Sequence, residues 1–329
     1  MRVVITGGAG FIGSNLARYW VRQHPGDRLT VYDALTYAGR RESLRDLEGS
    51  HNFQFVRGDV RDGVALDAVI RDAELVIHLA AETHNDRAVS DPAPFVSTNI
   101  VGTATLLEAC RRHDVPRLHH VSTDEVFGSL PLDAPEKFTE ASPYRPHGPY
   151  SASKASADHL VRAWHDTYGL PVTLSNCSNN FGPYQFPEKL IALAITRLLS
   201  GGTVPLYGDG LHVRDWIFVD DHCSALDLVA HRGRNGATYL VSAGVELPNV
   251  DVVRRLLRQF GAGEEAVERV RDRPGHDRRY ALDARRIREE LGWQPQHDFD
   301  RALALTVEWY RNNESWWRPL LPTATARSS

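Results

Sequence analysis

Lysine is almost absent from this 329-residue chain: Lys137, Lys154 and Lys189 stand against 35 arginines. A guanidinium is a wide planar fork, so a position that keeps a compact ammonium is one where the fork is no free substitute. Lys154 and Lys189 fall inside the motifs described below, although with three residues coincidence is the other reading. Cysteine is equally scarce. Cys110, Cys177 and Cys223 are odd in number, widely separated and without metal-ligand spacing, which argues against a disulfide framework or a metal centre and for buried thiols. No apolar run is long enough to cross a bilayer, and Met1 leads directly into the first strand pattern, so neither a membrane span nor a leader is expected and a cytoplasmic protein is the simplest reading. A formal net charge of −4 offers no reason to expect nucleic acid. Repeats and low-complexity tracts are missing, and only the small, polar residues 322–329 read as a disordered tail.

What is present is an alternation of strands and helices. Short apolar runs at 2–6, 29–32, 53–57, 75–78, 117–122 and 172–175 are separated by helical stretches, the pattern of a Rossmann-type doubly wound parallel α/β sheet. The first run feeds Gly7-Gly8-Ala9-Gly10-Phe11-Ile12-Gly13 and then a helix. In that order, Gly7, Gly10 and Gly13 allow a tight turn, a close approach to a pyrophosphate and helix-on-strand packing, while the helix N-terminus offers amide donors to the anion. Twenty residues beyond Gly13 the second strand ends in Asp33, whose carboxylate suits a ribose diol and repels a 2′-phosphate, so NAD is favoured over NADP. Arg40 and Arg41 are near enough in sequence to leave a phosphate contact open. Asp59 follows the third strand and Leu79-Ala80-Ala81-Glu82-Thr83 the fourth, at the carboxyl edge where such sheets bind ligands. A strand at 238–242 and helical stretches at 189–199, 251–259 and 284–291 suggest a smaller α/β lobe. The expected division is an NAD-binding domain at 1–178 and a second domain at 179–329, which the family resemblance described below implies to bind a nucleotide sugar, with an approximate boundary because such lobes interleave.

Thr123-Asp124-Glu125 follows the fifth strand and therefore reaches the same edge. Tyr150 and Lys154, at i and i+4 behind Pro149, share one face of a helix predicted over 150–168. An ammonium about 4 Å from a phenol contributes roughly 4 kcal/mol at an effective dielectric of about 20, enough to lower a tyrosine pKa by up to about three units. That predicts Tyr150 as a general base. Taken alone, the pair also fits a surface tyrosine beside a solvated lysine, and an Asp-Glu pair after a strand also fits two solvated acids or a helix cap. Adjacent carboxyls in one pocket push one pKa upward, and in the reaction that the family resemblance described below implies, Asp124 is the one expected to be neutral.

Together with Asp33-Ala34-Leu35-Thr36-Tyr-Ala-Gly, Thr98-Asn-Ile-Val-Gly-Thr103, the run Asn176 to Leu190, Arg214-Asp-Trp and the run Asp272 to Tyr280, these motifs make the chain resemble the extended short-chain dehydrogenase/reductases. More narrowly, it is similar to those nucleotide-sugar 4,6-dehydratases that act on dTDP-glucose, over nearly its whole length. Asn85, where that family usually has valine, and Phe181, where it often has tyrosine, are departures that remove no catalytic group. The resemblance implies that Phe11, Ile12, Asp33, Ala34, Leu35, Thr36, Asp59, Val60, Leu79, Ala80, Ala81, Glu82, Thr83, Thr98, Tyr150, Lys154 and Asn180 hold NAD. It implies that Thr83, Thr123, Asn179, Lys189, Leu190, Pro205, Tyr207, Arg214, Asn249, Arg273, His276 and Tyr280 meet the nucleotide sugar, the arginines through its diphosphate. The implied reaction is C4 oxidation, elimination of water across C5 and C6, and hydride return to C6, with catalytic Thr123, Asp124, Glu125, Tyr150 and Lys154, and no metal. It also implies a homodimer pairing the helices around 98–112 and 150–168. A 4-epimerase or decarboxylase shares the glycine turn, Tyr150 and Lys154 but not the acidic pair; a GDP-sugar dehydratase is disfavoured by Asp33 and by the motif from Asn179 to Leu190; a non-catalytic NAD-sensing module needs no intact acid-base set.

Overall fold

The computed structural model describes residues 1–273 and 275–321. The expected tail, 322–329, lies outside the described residues. Twelve strands are found among them: β1 (Arg2–Thr6), β2 (Arg28–Asp33), β3 (Phe53–Arg57), β4 (Leu75–His78), β5 (Leu118–Thr123), β6 (Val172–Cys177), β7 (Asn179–Phe181), β8 (Val204–Tyr207), β9 (Val213–Phe218), β10 (Thr238–Val241), β11 (Val245–Pro248) and β12 (Val267–Val270). Seven form one parallel sheet in the order β10-β6-β5-β4-β1-β2-β3. Every residue of β4, β5, β6 and β10 is buried, because helices cover both faces of the sheet. The chain builds outward from β1 through β2 to β3, then returns to place β4 on the other side of β1. The switch point between β1 and β4 opens a crevice at the carboxyl edge.

Local chemistry fixes the helices that flank this crevice. The helix Phe11–Gln23 begins directly after the glycine turn. The helix Pro149–Tyr168 has proline in its first turn, a reciprocal pair of bonds between Gly148 and Ser151 (3.1 and 3.0 Å), and Gly169 at φ +71 to end it. The helical run from Ala93 to Arg112 carries a π segment, Val96–Gly102, in its middle. Such a segment is a frequent mark of a functional position, and here it carries Thr98 and Asn99.

The smaller lobe holds a three-stranded sheet, β11-β9-β7, and a two-stranded one, β12-β8. Its core joins Phe181, Ile195, Trp216, Leu256, Leu303 and Tyr310. Phe181 packs against the rings of Trp216, Phe218 and Phe299, surroundings that would leave a tyrosine hydroxyl little to bond. The two halves of the chain are interleaved. β10 is the edge strand of the large sheet, and the helix Val219–Arg232 packs against Phe11–Gln23, where Asp227 meets His24 at 2.9 Å and Tyr19 at 3.2 Å. Cys110, Cys177 and Cys223 are all buried free thiols. No helix of the described residues is long and apolar enough to cross a membrane.

Candidate active site

A cavity of about 600 Å³ runs along the crevice and continues between the lobes. It brings together every residue named above for cofactor, catalysis or substrate except Leu35. Leu35 instead makes the turn after β2: it sits at φ +57, its N–H donates to Asp33 Oδ1 at 2.7 Å, and its side chain packs on the core.

At the glycine turn the three glycines have different reasons. Gly7 sits at φ +71, and a Cβ there would lie 2.5 Å from the backbone of Ala80. On Gly13 a Cβ would come within 2.3 Å of the Gly7 carbonyl oxygen and 2.6 Å of Gly8 Cα. Gly10 has only the Gly7 oxygen near, at 3.3 Å, so its bare face is open to the cavity rather than demanded by packing. Asp33 is buried at the end of β2 and accepts from the N–H groups of Ala9 (2.9 Å) and Leu35 (2.7 Å). Burial raises its pKa and the two amide bonds oppose the rise. Arg40 and Arg41 turn to Glu42 (3.3 Å) and Glu48 (2.8 Å), which leaves Asp33 without a guanidinium partner among the described residues. An open glycine face, a buried carboxylate and a deep crevice at the switch point fit a dinucleotide with a free ribose diol.

The segment after β4 is held by Asn99, whose Oδ1 accepts from Glu82 N (2.8 Å) and whose Nδ2 lies 3.0 Å from Glu82 O and 2.8 Å from Ser153 Oγ. The π segment thus clamps the cavity wall to the helix that bears Tyr150. Tyr37 closes the opposite side: its hydroxyl lies 3.0 Å from Thr83 O and 2.9 Å from Glu188 Oε1, across the crevice.

The catalytic cluster gathers at the end of β5. Thr123 Oγ1 donates to Asp124 Oδ1 (3.2 Å) and accepts from Glu125 N (3.3 Å). Asp124 is buried, and its Oδ2 has no partner among the described residues. Burial above all, then the charges of Glu125 and Asp215, push its pKa well above the ordinary carboxylate value, which favours its protonated form. Asp215, on β9, is also pushed up, to about 6, by burial. Glu125 is half-buried and its Oε2 accepts from Asn85 Nδ2 at 3.0 Å.

Tyr150 departs from expectation. Its pKa is raised well above 10, first by burial and then by the charges of Glu125, Cys177 and Asp124. Lys154 does not counter this, because its Nζ donates to the Val121 carbonyl at 2.9 Å in the adjoining strand. Below it lies Asp158, fully buried, accepting from Ser122 and Tyr144 (both 2.9 Å) and facing His120 at 3.2 Å. Burial lowers the Lys154 pKa, while the charge of Asp158 acts to raise it. Helical spacing placed Tyr150 and Lys154 on one face, as read; the direction of the ammonium was set by a carbonyl from elsewhere in the chain.

On the smaller lobe, the expected contacts divide into free and engaged groups. The Oδ1 atoms of Asn179 and Asn249 are buried without a protein partner, and the Lys189 ammonium is unpaired among the described residues. These are groups that a ligand can satisfy. Leu190, Pro205 and Tyr207 supply wall surface. Arg214 is buried over the Tyr280 ring, 4.4 Å from its centroid, and donates to Asp277 O (2.9 Å). Arg273 is already paired with Asp86 at 2.7 Å, across the cavity mouth. His276 stacks on His212 at 3.8 Å and bonds Asp272 (2.7 Å). Asn180 and Tyr280 line the cavity but spend polar groups internally, Asn180 on Ser178 O and His222, Tyr280 on Asp277 Oδ2 at 2.6 Å. Asp59 is likewise held by Arg61 at 2.5 Å, which lowers its pKa. Sequence reasoning did not single out Tyr37, Asn99, Asp277 or Glu188 as functional. All four lie inside motifs it quoted, so the signal was available but the partners were not.

A Rossmann crevice with Tyr150, Lys154 and a threonine beside the place where both lobes meet defines an extended short-chain dehydrogenase/reductase. The sequence profile of the family described as GDP-mannose 4,6 dehydratase matches residues 4–306. Among curated relatives, dTDP-glucose 4,6-dehydratase of Mycobacterium tuberculosis (strain ATCC 25618 / H37Rv) is 53% identical over 328 residues, covering 99% of this chain and 98% of that protein. Among solved structures, DesIV (dTDP-glucose 4,6-dehydratase) from Streptomyces venezuelae, with NAD bound, superposes with a TM-score of 0.95 at 47% identity, covering 98% of this chain and 100% of the other. UDP-glucose 4-epimerase from Thermus thermophilus, complexed with NAD, gives a TM-score of 0.87 at 31% identity over 95% of this chain and 100% of the other. The profile takes its description from a GDP-sugar enzyme, but the near-full-length relatives at about half identity act as the finer measure. The chain belongs to the dTDP-glucose 4,6-dehydratase family.

Proposed function

We propose that the chain dehydrates dTDP-glucose to dTDP-4-keto-6-deoxyglucose, a hydro-lyase reaction of the EC 4.2.1.46 type. The observation that carries this reading is the buried Asp124, its Oδ2 without a partner among the described residues, next to Glu125 within one cavity with Tyr150. NAD, when bound, supplies the hydride acceptor at the start of the reaction and the hydride donor at its end. Tyr150, which keeps its proton in the cofactor-free protein, would take the proton of the C4 hydroxyl as the phenolate that the positive charge of bound NAD favours, with Thr123 hydrogen-bonded to the same oxygen. A 4-ketone acidifies the neighbouring C5 hydrogen, which Glu125 removes as base. Asp124 gives its proton to the departing C6 hydroxyl, and water leaves. Glu125 returns a proton to C5 while the hydride taken from C4 comes back to C6, so no net oxidation results. On this reading Arg214 and Lys189 meet the diphosphate, with Arg273 released from Asp86 to join them, while Asn249 and His276 meet the nucleoside.

The larger lobe is the cofactor domain and the residues beyond about 178, apart from β10 and the helices Val219–Arg232 and Arg285–Leu291 that pack with it, form the nucleotide-sugar domain. A cytoplasmic homodimer completes the proposal. Exposed Val96 and Val101, 50% and 52% accessible on the 93–112 helical run, and Tyr168 at 56%, ending the helix Pro149–Tyr168, support that pairing. An epimerase has the fold and the tyrosine but no use for an acid at C6; the Asp124–Glu125 pair favours the dehydratase.

The direct test is incubation of purified protein with dTDP-glucose and assay of a 4-keto product. With substrate deuterated at C4, the label should reappear at C6 of the same molecule and solvent hydrogen at C5. Label lost to solvent would reject internal hydride return. Glu125→Gln should slow elimination by about 10²- to 10⁴-fold while C4 oxidation remains visible at 340 nm; wild-type elimination in this variant would remove Glu125 from the role of base.

A further inference from the structure

Asn85 stands in the cavity wall beside the acidic pair. The chain leaves the segment Leu79–Thr83, turns through His84 at φ +87, and opens the short helix Asn85–Ser90 with Asn85 as its first residue. A left-handed conformation is uncommon for a residue with a side chain and is kept where its surroundings hold it. The result is the 3.0 Å hydrogen bond from Asn85 Nδ2 to Glu125 Oε2, and no other hydrogen bond to that carboxylate is found among the described residues. Its remaining neighbours are of another kind. Asp124 adjoins it in the chain, and Tyr150 and Tyr280 feel its charge without bonding it.

We propose that Asn85 is a positioning residue for the elimination step: it pins Glu125 Oε2 and leaves Oε1 as the oxygen that removes and returns the C5 proton. The inference rests on the reading of Glu125 as the C5 base. An amide suits this task because it is neutral and can donate to a carboxylate and, more weakly, to the carbonyl oxygen of a carboxylic acid, so the anchor survives both halves of the proton transfer. A carboxylate held at one oxygen also spends less rotational freedom in reaching the reactive geometry. Without Asn85, Glu125 would be oriented only by its backbone and by repulsion from its neighbours. No atom of Asn85 is required to touch the reacting carbons.

Single-turnover experiments in D₂O with dTDP-glucose separate the steps: 340 nm absorbance follows C4 oxidation, and mass spectrometry follows deuterium entry at C5. Asn85→Val, which keeps the bulk but removes the donor, should slow C5 exchange and water loss about tenfold, the order expected for a hydrogen bond to a charged group. C4 oxidation and substrate Kd should stay at wild-type values, so the 340 nm transient should rise. Asn85→Ala should behave alike, and Asn85→Asp, which sets a like charge against Glu125, should be slower still. In the Glu125→Gln background, Asn85→Val should cause no further slowing, the signature of two residues acting through one contact. Wild-type C5 exchange in Asn85→Val and Asn85→Ala would overturn the proposal. So would equal slowing in both Glu125 backgrounds, which assigns Asn85 a merely structural role. Failure of the parent reading is a separate result: Glu125→Gln alone would eliminate at the wild-type rate.

Discussion

Replacing Asp124 by asparagine separates two things that the buried carboxyl does. In the folded protein its pKa is raised well above the ordinary value, chiefly by burial. In the unfolded chain it ionises near pH 4. Folding therefore takes up a proton at any pH between the two values, and by linkage stability falls as pH rises through that window. The slope reaches about 1.4 kcal/mol for each pH unit. Asparagine has no such window. It has a cost of its own, since Asp124 Oδ2 lacks a protein partner and an amide NH₂ in that place needs one, but that cost does not change with pH. The measurement is thus the difference in melting temperature between wild type and Asp124→Asn from pH 5 to pH 8. The variant should gain on the wild type with each pH unit inside the window, at about 2 °C per kcal/mol. Asp215, raised to about 6, contributes its own slope to both proteins, so the difference reports Asp124 together with its coupling to Asp215. Catalysis gives the second readout: the amide donates a hydrogen bond but no proton, so water loss should drop by about 10²- to 10⁴-fold with C4 oxidation retained. A difference in melting temperature that stays flat from pH 5 to 8 would mean that Asp124 ionises like an exposed acid, and its role as the proton donor to C6 would fall with it.

The glycine turn offers a paired test. Gly13→Ala drives a Cβ into the backbone of Gly7 and Gly8 and should cost about 1–3 kcal/mol in a denaturant melt, whereas Gly10→Ala should change stability by less than about 0.5 kcal/mol yet weaken NAD binding in calorimetry. Equal stability losses would place the two glycines in the same packing role. Tyr150, with a raised pKa, should keep its proton below pH 10 in the cofactor-free protein, so the 295 nm titration of wild type minus Tyr150→Phe should be flat over that range; a phenolate appearing near pH 7 would return Lys154 to the role the helix spacing suggested. Asp86→Asn releases Arg273 from an exposed ion pair and should tighten dTDP-glucose binding by up to about fivefold, measured as Kd. Unchanged affinity would mean that Arg273 leaves the diphosphate alone.

Periodicity and composition alone were enough for the parallel sheet, the glycine turn and the helix bearing Tyr150 and Lys154, because these depend on spacings of a few residues along one strand or helix. The strand bounds differ by only a residue or two, for instance 29–32 against Arg28–Asp33. The same local logic put Asp33, Asp59, Glu82 and Asp124 at one sheet edge before any contact was known. Leu35 shows where it stopped: the motif carried it as a cofactor residue, while its positive φ and core packing make it a turn. What the tertiary structure decided was which polar groups meet. Lys154 bonds Val121 O from 33 residues away, Arg273 reaches Asp86 over 187 residues, and Asn85 finds Glu125 across 40. None of these pairings has a sequence period, since each is created by two elements folding to a common cavity. The protonation of Asp124 and Tyr150 belongs to the same class, because desolvation depends on how completely the assembled lobes exclude water from a side chain.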